Sequence, residues 1–465
     1  MIKFLPLPIM TYILSRGRSL LLCITGALIL MYACFYNGYP IYEGDTHAYI
    51  GVAFTDAFPN DRTPFYSYFL RISSFWESLW YTIFFQCLLL SYLLLRYIRH
   101  LNNSAPFSWT GIISIVVIAS FTCVSWISSK LMPDIFTGTL LVAVLLYLFD
   151  KSSARWQKAV YLVIIFLIIS IHNSHFLITA LFSGSIFLYS IVCKNKELIK
   201  KSLALMCVSV LFYFTMCSIN QVHGYGFVFC PAAPVFTMAK LASNGILDVY
   251  LEDNCDKKNL RLCSCKGQLP EYPWNFMWPS APSPLLKIGI EDSCKNEFKE
   301  IIYDIFTNPK YLKLYIQKSG ISTMRQLVNI QVMNTLPYDK ESSASKQNKT
   351  WFMDENKDFC TSKQNCNTIE LSSFNLVYTL FFIITTIWIF LIYRQTTDGH
   401  TLHIYYAILL FFLINAFVSS SFSAIHYRFQ ARIFWLLPAT NAILILKYLQ
   451  ARFSATQKPS LPINP

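Results

Sequence analysis

The chain has 465 residues, of which 54% are hydrophobic and only 14% charged, against about 25% charged in an ordinary soluble domain. Its apolar residues are gathered into runs too long for a globular core, which excludes a soluble enzyme, a disordered chain and a fibrous protein. The formal net charge of +13 points elsewhere to nucleic acid; here it reads as a membrane-topology signal, and no nucleic-acid partner is expected.

A membrane-spanning helix needs roughly 20 mostly apolar residues. Windows of that size predict about ten spans, near 19–37, 77–97, 107–127, 135–150, 156–171, 176–193, 202–219, 374–393, 401–418 and 433–449. The first follows basic residues as a signal peptide would. Its apolar core runs past the usual length and no small-x-small cleavage site follows, so it reads as an uncleaved anchor. The fifth is short, and with the sixth it forms either two crossings or a re-entrant hairpin.

Orientation follows from Lys and Arg. With the N-terminus inside, the cytoplasmic segments hold sixteen basic residues, from Lys3 to Lys458, against the acids Asp150, Glu197 and Asp398. That surplus equals the whole net charge of +13. Both termini are therefore expected in the cytoplasm, and the Lys/Asn/Ile-rich composition with short tails favours a bacterial inner membrane.

The chain divides into an N-terminal membrane module at 1–219 with a large first outer loop at 38–76, an extracytoplasmic domain at 220–373, and a C-terminal membrane module at 374–465. The fold class expected is thus an all-α polytopic membrane protein carrying a mainly helical, disulfide-containing periplasmic domain. Within that domain, helices are expected over Pro234 to Leu251, Ser293 to Phe306, and from Asn308-Pro309 to about Asn334, with a mobile loop from Asp339 to Asn367. Seven of the 14 cysteines lie here. Disulfides are favoured over a metal site, because Cys263-Ser264-Cys265 lacks ligand spacing. By proximity the first pair is Cys360–Cys366, and the second joins Cys255 to Cys263 or Cys265. Asn348-Lys349-Thr350 is a sequon.

Ionisable groups at membrane depth or in short outer loops are costly and tend to be functional. Outside the cytoplasmic segments and the outer domain they are Glu43, Asp45, Asp56, Asp61, Arg62, Arg71, Glu77, Lys130, Asp134, Arg428 and Arg432, with His47, His172, His175 and His426. All are expected at the outer end. In Glu43-Gly44-Asp45-Thr46-His47, Asp45 opens an amphipathic segment. Its carboxylate can be a general base, can share a divalent metal with Glu43 or His47, or can simply cap the helix. Arg62 precedes a Pro-started helix, where it suits a phosphate, pairs with Asp61, or snorkels to headgroups. Arg428 and Arg432 are one turn apart and share a face; two cations there call for an anion, for which a phosphate on a lipid carrier is the natural candidate. Headgroup binding without chemistry is the alternative. Lys130 with Asp134, and His172 with His175, occupy short outer turns, where satisfied polar turn residues are the commoner reading.

An acidic residue in the first outer loop, together with Arg62-x-Pro64-x-Tyr66 ahead of an apolar helix, resembles the GT-C superfamily. These are polytopic glycosyltransferases with protein O-mannosyltransferase-like and aminoarabinose transferase-like members. The resemblance covers residues 38–80 and the general topology. It implies sugar transfer with inversion, from a polyprenyl-phosphate donor among the membrane lipids to an acceptor that is a glycan, lipid or protein. Asp45 is then the catalytic carboxylate. Arg62, Lys130, Arg428 and Arg432 hold the lipid phosphate, and Glu43, His47, Tyr66, Asp134, His172 and His175 complete the substrate site. The first loop offers Glu43-Gly44-Asp45 in place of a paired-acid signature, so a divalent cation stays open as a cofactor and no metal ligands are assigned. The rivals are an oligosaccharide ligase or polymerase acting on lipid pyrophosphate, a lipid or polysaccharide transporter, and a non-catalytic envelope assembly protein.

Overall fold

The computed structural model describes residues 7–102, 108–278, 283–289, 292–333, 335–396 and 398–456, with backbone only for 7–16, 292–295, 393, 395–396 and 454–456. Among them every regular element is helical, and extended pairing is confined to a parallel bridge between Ile41 and Lys130.

The N-terminal half runs α1 (Leu7–Leu30), α2 (Tyr32–Asn37), α3 (Thr46–Phe54), α4 (Phe65–Ser73), α5 (Leu79–Asn102), α6 (Trp109–Phe121), α7 (Val124–Ser128), α8 (Asp134–Phe149), α9 (Arg155–Ile171), α10 (Asn173–Val192) and α11 (Lys196–Val222). Then come α12 (Ala233–Ser243), α13 (Ile246–Asn254), α14 (Pro273–Met277), α15 (Pro284–Ile288), α16 (Asp292–Thr307), α17 (Pro309–Leu327), α18 (Ser343–Trp351) and α19 (Asn356–Thr361). The chain closes with α20 (Ser372–Thr396), α21 (Gly399–Phe422), α22 (Tyr427–Phe434) and α23 (Leu436–Thr456).

Each apolar window of the sequence falls on a helix or a broken helix. Among the described residues six stretches are long and apolar enough to cross a bilayer: Leu79–Asn102, Asn173–Val192, Lys196–Val222, Ser372–Ile392, Gly399–Phe422 and Tyr427–Phe453. Gly17–Leu30, Trp109–Phe121 and Asp134–Phe149 are apolar but shorter. Two windows are shorter because their helices break, α1 into α2 at Met31 and α6 into α7 near Thr122. A broken helix in an apolar medium must satisfy its loosened backbone groups, and here serines of the second break serve the first. Ser125 and Ser128 donate to the Leu30 carbonyl at 3.0 and 2.9 Å, while the amides of Ala33 and Cys34 each donate to Ser125 and Ser129 hydroxyls at 3.0 Å.

That patch fixes the start of the first loop. The Ile41 amide donates to Ser129 O at 3.0 Å and the Leu131 amide to Ile41 O at 2.9 Å, so Glu43 and Asp45 emerge beside Lys130 and Asp134. The central α8 is buried from Asp134 to Leu148. At Gly138 an added Cβ would lie 2.8 Å from both the Arg432 carbonyl and the Trp435 ring. Glycine is what lets the final helices approach α8 this closely, one turn from Asp134.

Segment 220–373 resolves into two parts. Residues 238–315 have their own small core, centred on Met238, Leu247, Tyr250, Phe276, Ile301 and Ile305. Residues 332–371 instead join the main core, through Ala344, Phe352, Phe359 and Leu371. The expected mobile loop at 339–367 is therefore an ordered cover over the first loop. Its polar composition is spent inward: buried Asn348 donates to the Tyr39 and Tyr42 hydroxyls at 2.8 and 3.1 Å, and Gln364 pairs with the backbone of Tyr42 in both directions, at 3.0 and 2.9 Å. With Asn348 0% exposed, its sequon is closed to modification in the folded chain. Cys255 and Cys263 form a disulfide. The first-ranked pair is corrected: Cys360 and Cys366 are both exposed free thiols, and the side chain of Cys294 lies outside the described residues.

Candidate functional site

The first loop, the 129–134 turn, the 172–175 turn and the start of α22 meet at one end of the bundle. Asp45 precedes α3 but makes no side-chain cap bond; the nearby backbone is served instead by Thr46, whose hydroxyl accepts from the Glu43 amide at 2.8 Å. The local pattern favours a cap, and the structure corrects it. The Asp45 carboxylate turns away from its own helix toward two arginines, 3.6 Å from Arg62 and 3.4 Å from Arg428. Its side chain remains 42% exposed, whereas each arginine side chain is 17% exposed. Burial acts to raise this carboxyl, but Arg428 and Arg62 outweigh it and hold it below the usual range.

Arg62 is fixed from behind. Its Nε donates to both Asp61 oxygens at 3.1 Å and its Nη2 to Oδ2 at 2.8 Å, and the guanidinium lies over the Tyr49 ring at 5.0 Å. Arg428 is shared more loosely. It reaches Asp45 at 3.4 Å and Asp134 at 3.4 Å, and its buried Nε has no aligned hydrogen-bond acceptor. Tyr66, packed edge-on against Tyr49 at 4.9 Å, is wholly buried with its hydroxyl unpartnered.

The other expected site residues take a supporting place. Arg432 is 1% exposed and tied to Asn415 at 2.9 Å, Ser419 at 3.3 Å and Asp134 at 3.5 Å, so it braces Asp134 from within the core, although its buried Nε, like that of Arg428, has no acceptor among the described residues. The anion expected opposite Arg428 and Arg432 is thus supplied first by the chain, as Asp134 and Asp45. Lys130 is likewise spent on Glu43, in a close ion pair beside Asp45. His47 is half-buried near Asp45, on which it acts electrostatically. His175 is fully buried with both ring nitrogens engaged, Nε2 with Thr137 at 2.8 Å and Nδ1 with the Ile168 carbonyl at 2.9 Å. His172 caps α10 through Nδ1, which accepts from the Ser174 amide at 3.1 Å. Burial and the nearby Arg432, Arg428 and Arg62 push its imidazole far below its usual value, so it is neutral. His426 does the same for α22, accepting from the Arg428 amide at 3.2 Å, and burial pushes it down too. Of the rest, Arg71 stacks on Trp76 at 4.5 Å, while Asp56 and Glu77 are exposed.

The structure thus gathers Asp45, Asp61, Arg62, Asp134, Arg428 and Arg432 around Tyr49 and Tyr66. Sequence reasoning missed Tyr49; the signal available was its place one turn after Asp45, in the helix that Asp45 opens. Among the described residues no three His, Cys, Asp or Glu side chains stand together as a metal would need. Glu43 and Asp61 are turned to cations, so these residues do not fit a divalent ion. No family model, no curated protein and no solved structure matches the chain.

Proposed function

We propose that the protein is a membrane glycosyltransferase, built like the GT-C enzymes, that moves a sugar from a polyprenyl-phosphate donor to an acceptor at the outer face of the membrane. In this reading the chain makes ten crossings, with the shorter helices completing the six long ones, both termini lie in the cytoplasm of a bacterial inner membrane, and 220–373 is periplasmic. The observation that carries the proposal is Asp45: an ionised carboxylate, free of its helix and partly open, held between two arginines at the rim of an apolar bundle.

The long contacts of Arg428 set out the chemistry. Two contacts of 3.4 Å, of which only Nη2 to Asp45 is aligned as a hydrogen bond, are weak beside the bidentate bonds a phosphate accepts. A donor phosphate takes these N–H groups and loosens Asp45 from them. The acceptor hydroxyl then attacks the anomeric carbon while the bond from that carbon to the phosphate oxygen breaks. Asp45 takes the hydroxyl proton, and the electron pair leaves on the lipid phosphate, where Arg62 and Arg428 stabilise it. Single displacement inverts the anomeric centre.

The test uses purified protein, a short-chain polyprenyl-phosphate sugar and native mass spectrometry. Asp45→Asn is expected to keep the lipid-phosphate adduct and to lower transfer by about 10²–10⁴-fold. Undiminished turnover in that variant, or no lipid-phosphate adduct in wild type, would overturn the reading and favour transport or assembly.

A further inference from the structure

A cavity of about 570 Å³ opens between the small outer core and the bundle, lined by the end of α12, the 269–274 segment, α17, and Ala424-Ile425 before α22. Lys240 lies on its wall. This lysine belongs to the run Met238-Ala239-Lys240-Leu241-Ala242, buried throughout, and is itself 3% exposed. Among the described residues no carboxylate stands within ion-pair distance of it, in a protein where Lys258, Lys310 and Lys130 all have one. One turn on, Asn244 also lines the cavity, and its side-chain Nδ2 is buried without an acceptor. Lys240 without a carboxylate partner and Asn244 Nδ2 without an acceptor leave this wall rich in donors and short of acceptors, a lining that suits an anion. Burial pushes the Lys240 amine down to about 8, the electrostatic cost of holding it there unpaired.

The rest of the wall narrows the class of ligand. Lys318 and Arg325 on α17 add positive charge, against Asp248 and Glu271. Tyr272 and Trp274 stack at 5.9 Å with their rings 11° from parallel and stay partly exposed, a flat apolar platform suited to the C–H face of a sugar ring. The cavity also adjoins the first site: Trp274 meets the His426 ring edge-on at 6.0 Å, and Gln326 of α17 holds the His426 backbone by bonds of 2.8 and 2.9 Å.

We propose that this cavity binds an acidic saccharide, with its carboxylate or phosphate on Lys240 and Asn244 and its ring on Trp274, as the acceptor subsite. The word acceptor rests on the glycosyl-transfer reading; the binding does not. Calorimetry on the full-length protein would use three probes: a glucuronate-containing disaccharide, glucose 1-phosphate and neutral maltose. At least one acidic probe should bind wild type ten-fold or more tightly than maltose, and which one identifies the acid. Lys240→Met, which fills the same volume, should remove that preference while melting no lower than wild type. Equal binding of all three probes by wild type, or an acidic preference that survives in Lys240→Met, overturns the proposal. Asp45→Asn should bind the acidic probe as wild type does. Acidic-probe binding in a protein that never takes the lipid phosphate keeps the cavity and defeats the transferase reading; lipid binding and transfer without acidic-probe binding do the reverse.

Discussion

Two arginine–carboxylate clusters sit at opposite ends of the bundle, and they are built differently. At the C-terminal end of α8, Arg96 donates to Tyr161 at 3.1 Å, Ser153 at 3.0 Å and Gln157 at 3.4 Å, and lies 3.5 Å from Asp150. Asp150 in turn accepts from Ser152 and Ser153 at 2.5–2.9 Å, and the two charged side chains are 5% and 1% exposed. At the other end the Arg428 guanidinium lies over the Phe429 ring at 5.2 Å, but among the described residues it pairs only with carboxylates, its Nε lacks an acceptor, and its Asp45 partner is half open. Residue types and apolar setting are the same. What differs is saturation: a charge pair whose spare donors and acceptors are all used has no capacity for a ligand, while one left short of partners holds free energy that a ligand can recover.

The sharpest way to break this contrast is to remove one cation from each end. Arg96→Met leaves Asp150 buried without its arginine, with the Ser152 amide and the Ser152 and Ser153 hydroxyls as donors, and should cost about 3–5 kcal/mol of stability. It should show as a lower melting temperature with unchanged transfer per folded molecule. Arg428→Gln should do the opposite, lowering transfer by about 10²–10³-fold and weakening lipid-phosphate binding, with a small change in melting temperature because its carboxylate partners keep Arg62 and Arg432. If both variants fail in the same way, saturation does not separate scaffold from site.

A smaller effect probes the outer domain. Opening the Cys255–Cys263 bond by replacing both cysteines with Ser releases a short loop and should destabilise that core by about 2–3 kcal/mol. Proteolysis should reach 238–315 first, leaving transfer at the Asp45 site intact at low temperature.

Much of this was legible in the chain. Apolar windows located each of the six stretches that are long and apolar enough to cross a bilayer among the described residues, because length and hydropathy are what a bilayer asks of a span. The convergence of Asp45, Arg62, Asp134 and Arg428 was legible too, since charge at a membrane rim is conspicuous. Saturation was not. Nothing local says that Arg432 is spent on Asn415, or Lys130 on Glu43, because those partners come from other helices. Polar composition misled at 339–367, where Asn348 and Gln364 point inward to tyrosines and backbone. Lys240 stands as a lone cation inside an apolar helical run, but only the fold shows that among the described residues no carboxylate comes within ion-pair distance of it.

The smallest effect is the most diagnostic of how Asp45 is held. Its folded-state pKa lies below the ordinary carboxylate value, so the stability it contributes is present above about pH 4 and is lost as pH falls through the lower folded value. Because the side chain is 42% exposed, solvent screening keeps that contribution within about 1 kcal/mol. The difference in melting temperature between wild type and Asp45→Asn should therefore be flat from neutral pH to about 5 and close only below about 4. A difference that closes near pH 6 would mean a carboxyl pushed up, not down, and would place Asp45 outside the arginine pair. With a lipid-phosphate analogue bound the sign should reverse. The phosphate draws Arg428 away and adds negative charge beside Asp45, so the carboxyl must titrate higher than in the free protein, as a group taking up a proton from an acceptor hydroxyl requires.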